Sequence, residues 1–128
     1  MARILIIDDE VEVLRSLGNH LKLLGYEVEY AQNPKEALWY IEHDDPFALI
    51  VCDNHMGKDN VGIHFARNLR DTHQIDLPVI MHTSDREEHL AEAWDEWDRC
   101  HIGYVRKSRP LDPTLLAKKI EETLSRAK

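Results

Sequence analysis

The chain has 128 residues, 43% of them apolar and 31% charged, and a formal net charge of −8. One ordinary domain is the expected organisation, spanning residues 1–128, with enough apolar residues for a core that needs neither disulfides nor a structural metal. The acidic balance, 24 acids against 16 bases, argues against direct nucleic-acid or anionic-lipid binding, and no apolar stretch reaches the length of a membrane span.

Arg3-Ile-Leu-Ile-Ile-Asp8 is a continuous apolar run ending in acids, and Val11, Leu14, Leu17, Leu21 and Leu24 then recur at helical spacing until Gly25. That predicts a buried strand followed by an amphipathic helix. Tyr26 to Tyr30 predicts a second strand, and Asn33-Pro34 opens a helix with Ala37, Leu38 and Ile41 on one face, closed by Pro46. Ala48-Leu-Ile-Val-Cys-Asp53 is the third strand, followed by a Gly-containing loop and a helix marked by Phe65, Ala66 and Leu69.

Leu77-Pro-Val-Ile-Met-His82 predicts the fourth strand, and its helix runs from about Asp85 to Trp97. Trp94 and Trp97 share a face with Leu90, which predicts that at least one packs into the core; the sharper reading is an indole that anchors a partner. Ile102-Gly-Tyr-Val-Arg106 is the fifth strand, and Pro113 to Arg126 the last helix. Strands apolar on both faces and alternating with helices predict an α/β doubly wound parallel sheet, joined by right-handed crossovers.

Nothing near Met1 has the length or cleavage site of a secretion signal, and Cys52 and Cys100 form no CxxC pair. A cytoplasmic location and two ordinary thiols are expected. The eight histidines are scattered, without zinc spacing, and read mostly as surface residues.

In a doubly wound sheet, chemistry collects at the carboxyl ends of the strands, beside the point where strand order reverses. Here strand one ends in Asp8-Asp9, strand three in Asp53, strand four in Thr83 and strand five near Lys107. With the strand order 2-1-3-4-5 these side chains converge. Singly, each is more often a helix cap; four strand ends out of five carrying complementary chemistry is a pattern that capping does not predict.

Carboxylates so close repel by about 4 kcal/mol per pair at 4 Å and an effective dielectric near 20, so they require a counter-ion or protons. Mg²⁺, or Mn²⁺ in its place, suits an oxygen-only donor set. A carboxylate nucleophile, a hard cation, a hydroxyl and an ammonium are the requirements of phosphoryl transfer to an aspartate.

These residues resemble the response-regulator receiver family of two-component signalling, over nearly the whole chain. The resemblance rests on Ile-Ile-Asp8-Asp9, Leu-Ile-Val-Cys-Asp53 with Met56 three residues on, Val-Ile-Met-His-Thr83-Ser84, and Tyr104-Val-Arg-Lys107. It implies a CheY-like, flavodoxin-like fold, a group in which the strands follow the order 2-1-3-4-5. It implies Asp53 as phosphoacceptor, with a sensor histidine kinase, a phosphotransfer protein or a small phosphodonor as source.

By the same resemblance Asp9 and Asp53 bind Mg²⁺ directly, Asp8 acts through a metal-bound water, and the backbone carbonyl of His55 completes the protein ligands. Thr83 and Lys107 hold the phosphoryl oxygens, and Thr83 with Tyr104 forms the switch. The output is expected on the face of helix four, strand five and helix five, toward a separate target protein, since no output domain follows the fifth helix. The chain is then no enzyme in the ordinary sense, its chemistry limited to self-catalysed phosphoryl acceptance and autodephosphorylation.

Several positions depart from the family pattern. Gly57 stands where a proline is common, and the Gly that opens the third helix comes one residue late, at Gly62. Lys107 is followed by Ser108 rather than a cis proline, and a cis bond before a non-proline costs about 2.5–4 kcal/mol. A trans Lys107–Ser108 bond and a reshaped loop are expected. Asp98-Arg-Cys-His101 replaces the usual turn before strand five.

Two other readings compete. A haloacid-dehalogenase-like phosphohydrolase also uses Asp, Mg²⁺, Thr or Ser and Lys, but needs an Asp-x-Asp motif where this chain has adjacent acids. A binding module not switched by phosphate is the other; Asp8-Asp9-Glu10 offers no Gly-rich cradle for a cofactor phosphate.

Overall fold

The computed structural model describes residues 2–93 and 102–126. The elements are β1 (Arg3–Ile7), α1 (Val11–Leu23), β2 (Glu27–Ala31), α2 (Pro34–His43), β3 (Leu49–Cys52), α3 (Val61–Asp71), β4 (Val79–Thr83), α4 (Glu87–Ala93), β5 (Ile102–Arg106) and α5 (Thr114–Arg126). All four strand pairs are parallel, as the alternation of runs predicts, and the order is β2-β1-β3-β4-β5, as the resemblance implies. No helix among the described residues is long and apolar enough to cross a membrane.

The apolar runs are continuous because both faces of the sheet are covered. Leu5, Ile7, Ile50, Cys52, Val79 and Met81 face one layer with Ala37, Phe65, Leu69 and Leu90. Ile4, Ile6, Leu49, Val51 and Ile80 face the other, with Leu14, Leu17, Leu21, Leu116 and Ile120. Each large side chain so buried stabilises the fold by about 1.5–3 kcal/mol, so the alternating faces fix the sheet's register.

Element ends follow local chemistry. Gly25 closes the first crossover at φ +98, a conformation that costs a glycine nothing. The Asn33 side chain accepts from the Glu36 amide at 2.8 Å and Pro34 takes the first helical position, an N-cap with the preferred proline. Strand four starts at Val79 rather than Leu77, because Pro78 has no N–H for the ladder; its carbonyl still accepts from Ile50.

Among the described histidines, which are mostly exposed or half-buried, one is an exception. His82 is not a surface residue: it is 2% exposed, on the β4 face shared with Ile80, since alternate strand residues share a face. Trp94, Trp97, Cys100, the Asp98–His101 turn and the end expected for the fourth helix lie outside the described residues. Cys52 is a buried free thiol, and burial, with Asp53 and Asp8 adding, pushes it well above its ordinary range.

Candidate functional site

The ladder runs one residue beyond each strand and fixes the site backbone there. Asp8 N–H donates to the Ala31 carbonyl at 3.0 Å, Asp53 N–H to Ile7 at 2.9 Å and Lys107 N–H to Thr83 at 2.7 Å. Three polar residues thus follow buried strands and share one edge of the sheet. Gly62 permits the close packing of α3 there: a Cβ on it would collide with the Asp53 carbonyl oxygen and stand 2.8 Å from Asn54 Cα.

Lys107 reaches both acids. Its Nζ lies 3.0 Å from Asp8 Oδ2 and 3.4 Å from Asp53 Oδ2, all three side chains being buried. The Lys107–Ser108 bond is trans, as expected; the cis bond found among the described residues is Arg109–Pro110. Ser108 Oγ donates to the Pro110 carbonyl at 3.1 Å and accepts from the Asp112 amide at 3.0 Å, which gives the loop its own shape.

One cation faces two acids. Burial pushes Asp53 up to about 6, the Asp8 charge adds to the rise, and Lys107 opposes it. Asp8 is raised as well, chiefly by burial, against the Glu10 amide bond and Lys107. For Lys107 burial favours the neutral amine, but Asp53 and Asp8 together outweigh it and hold the ammonium above its ordinary range. The pocket is short of positive charge, which is the electrostatic condition under which carboxylates recruit a divalent ion.

Asp9 is exposed beside Asp8, and the Asp8, Asp9 and Glu10 carboxylates offer oxygens within 4.8 Å of one another. Strand-end reasoning passes over Glu10, which lies one position further on; its Oε1 is 4.0 Å from Lys107 Nζ and 3.9 Å from Arg109 Nη2. With the Asp53 carboxylate, which shares the Lys107 ammonium with Asp8, the side-chain donors are all oxygen, a set that suits Mg²⁺.

Thr83 is fully buried, but its hydroxyl accepts from the Asp85 amide at 3.3 Å. The Tyr104 hydroxyl donates to the Asp85 carbonyl. Asp85 therefore ties together two residues that the sequence connects only by resemblance. Its carboxylate accepts from Asn54 Nδ2 at 2.8 Å and lies 2.6 Å from His55 Nε2. Burial would raise Asp85, but Asn54 and His55 hold it below the ordinary carboxylate range. An acid two residues past a strand end reads as a helix-start signal, so the sequence alone marks Asp85 only as a cap.

A five-stranded parallel sheet with an acid and ammonium pocket at its carboxyl edge defines a doubly wound α/β domain whose acidic cluster could hold a hard cation. The chain belongs to the response regulator receiver domain family, whose model matches residues 4–121. It is 36% identical over 129 residues to "Probable transcriptional regulator ycf27" of Pyropia yezoensis, covering 98% of this chain and 48% of that protein. The chain thus spans about half the length of the curated relatives it matches over its full extent.

Among solved structures it is similar to a CheY-like response regulator receiver domain protein of Methanospirillum hungatei JF-1. The TM-score is 0.80 at 27% identity, covering 98% of this chain and 95% of that one. Response regulator protein TrrA of Thermotoga maritima, solved in complex with Mg²⁺–BeF, matches with a TM-score of 0.76 at 29% identity, covering 96% and 99%.

Proposed function

We propose that this chain is a phosphorylation-activated receiver, in which Asp53 accepts a phosphoryl group from a sensor histidine kinase or a phosphotransfer protein. The observation that carries the reading is the shared ammonium: Lys107 Nζ stands within 3.4 Å of both Asp8 and Asp53. A cation so placed can follow charge from carboxylate to phosphoryl oxygen as the acyl phosphate forms.

An Asp53 Oδ attacks phosphorus, the P–N bond of the donor phosphohistidine breaks, and the imidazole nitrogen keeps the bonding pair. Asp9, Asp53 and the His55 carbonyl would hold Mg²⁺ directly, with Asp8 through a water. When bound, that ion supplies charge neutralisation for the three acids and the incoming phosphoryl oxygens. Lys107 neutralises the acyl phosphate, and Thr83 offers its hydroxyl after leaving the Asp85 amide.

That exchange frees the Asp85 segment and the Tyr104 hydroxyl it holds, altering the surface of α4, β5 and α5 toward a target protein in trans. The TrrA complex with Mg²⁺–BeF supports the metal and phosphate part of the reading. A cytoplasmic setting and no direct contact with nucleic acid or membrane accompany it. Wild type and Asp53→Asn are incubated with acetyl phosphate and Mg²⁺ and weighed intact. A metaphosphate-sized gain in wild type alone is expected; equal gain in both, or none in either, would sink the reading.

A further inference from the structure

We infer that His55, Asp85 and His89 form a second metal centre, one for a divalent transition ion of the zinc type, outside the oxygen pocket around Asp53. An imidazole nitrogen from each histidine and an Asp85 carboxylate oxygen lie within 4.8 Å of one another. His55 Nε2 is already 2.6 Å from Asp85 Oδ2. The two rings stand with centroids 6.2 Å apart and planes inclined by 36°.

The spacing is near what an ion needs. Metal–ligand distances of about 2.0–2.1 Å in a tetrahedron put neighbouring donor atoms about 3.3 Å apart. His89 is exposed on α4, so a turn of its side chain closes the remaining gap without disturbing the core. Asp85 lies in the loop two positions before α4 and His89 in the first turn of that helix, and this loop-to-helix entry brings their donor atoms together.

The donor set selects the ion. Two imidazoles and one carboxylate suit zinc, nickel or copper, whereas Mg²⁺ and Ca²⁺ take oxygens. Three protein donors leave one coordination place open to water or an external ligand.

The surroundings also match such a centre. Asn54 Nδ2 donates to Asp85 Oδ2 at 2.8 Å, and Asn54 Oδ1 in turn accepts from the Ile63 amide at 3.1 Å. Asp85 is thereby aimed before any ion arrives. On the other side of the His55 ring, Nδ1 is buried without a well-directed hydrogen bond and has Asp59 Oδ1 at 3.2 Å. A carboxylate behind the free nitrogen of a ligating histidine is the usual orienting partner in histidine metal sites.

Such an ion bears on the switch. Asp85 carries the Thr83 hydroxyl on its amide and the Tyr104 hydroxyl on its carbonyl, and His55 follows Asp53 by two residues. Fixing Asp85 to His55 and His89 holds Thr83 away from the phosphoryl group, so the ion slows phosphorylation. This consequence rests on Asp53 being the phosphoacceptor; the centre itself does not.

The test uses the full chain without an affinity tag, freed of metal and then kept in excess Mg²⁺ so that the oxygen pocket is filled. Co²⁺ is titrated in while its d–d absorption is followed, and Zn²⁺ is titrated by calorimetry. One equivalent of each is expected, with affinity lowered at least tenfold in His89→Ala and again in Asp85→Asn, both checked for folding by circular dichroism. Equal affinity in wild type and His89→Ala would overturn the centre, as would binding that disappears in excess Mg²⁺. Acetyl phosphate labelling with and without Zn²⁺ is a separate arm: slowing in wild type but not in His89→Ala is expected, and equal rates would overturn the coupling alone.

Discussion

Lys107 Nζ and Asp8 Oδ2 stand 3.0 Å apart across 99 positions of sequence, both side chains withdrawn from solvent. Removing the cation leaves two buried acids facing each other. In Lys107→Met, urea unfolding at pH 7 without divalent metal should show a loss of about 3–5 kcal/mol, the cost of breaking a buried pair. Part of that loss should return on adding Mg²⁺, and more as the pH falls and the acids take up protons.

Asp53 works against the fold when ionised. Its folded value of about 6 lies above the ordinary 3.8, so its stabilising contribution is complete below pH 3.8 and lost as the pH rises through 6. The span corresponds to about 3 kcal/mol. Asp53→Asn should therefore match wild type near pH 3.5 and gain up to that amount at pH 7 without Mg²⁺, measured by denaturant unfolding at each pH. A difference that stays flat from pH 3.5 to 7 would contradict the assignment.

His82 pulls in the opposite direction. Burial, with the Lys107 charge adding, lowers it from 6.5 to about 4. Its contribution is present above pH 6.5 and lost as the pH falls through 4, again about 3 kcal/mol. Among the described residues its Nδ1 is buried without a partner. His82→Leu should remove this acid-induced loss, so that the stability of the variant relative to wild type grows between pH 6.5 and 4.

The Tyr104 hydroxyl on the Asp85 carbonyl should contribute about 1 kcal/mol. In Tyr104→Phe that amount is lost in urea unfolding, and amide exchange at Asp85 accelerates several-fold because one anchor of its segment is gone. Unchanged exchange would show that the Thr83 hydroxyl alone holds the segment.

Gly62 tolerates no side chain. A Cβ there meets the Asp53 carbonyl oxygen, which is backbone at a strand end rather than a movable side chain. Gly62→Ala should cost on the order of 1–3 kcal/mol from overpacking and slow labelling of Asp53 by acetyl phosphate.

The strand ends are legible in the sequence because hydrophobic runs abut charge: Ile7 against Asp8 and Cys52 against Asp53 mark the carboxyl edge without any structure. Their convergence follows from the strand order. Asp85 is not legible in the same way, since its links to His55, Asn54 and Tyr104 join loops and a strand 19 to 31 positions apart, and periodicity carries no record of such contacts. His82 misleads for a related reason. A histidine at the end of an apolar run gives no sign of which face it takes or whether anything receives its ring nitrogens.

The placement of β5 at the edge next to β4 has a consequence for synthesis. A nascent chain makes β1, β3 and β4, and with them both acids, before Lys107, the ammonium that stands between them in the finished fold, is added. The lysine therefore acts as a completion mark. On the proposed reading, phosphate chemistry at Asp53 waits for the fifth strand to be laid down.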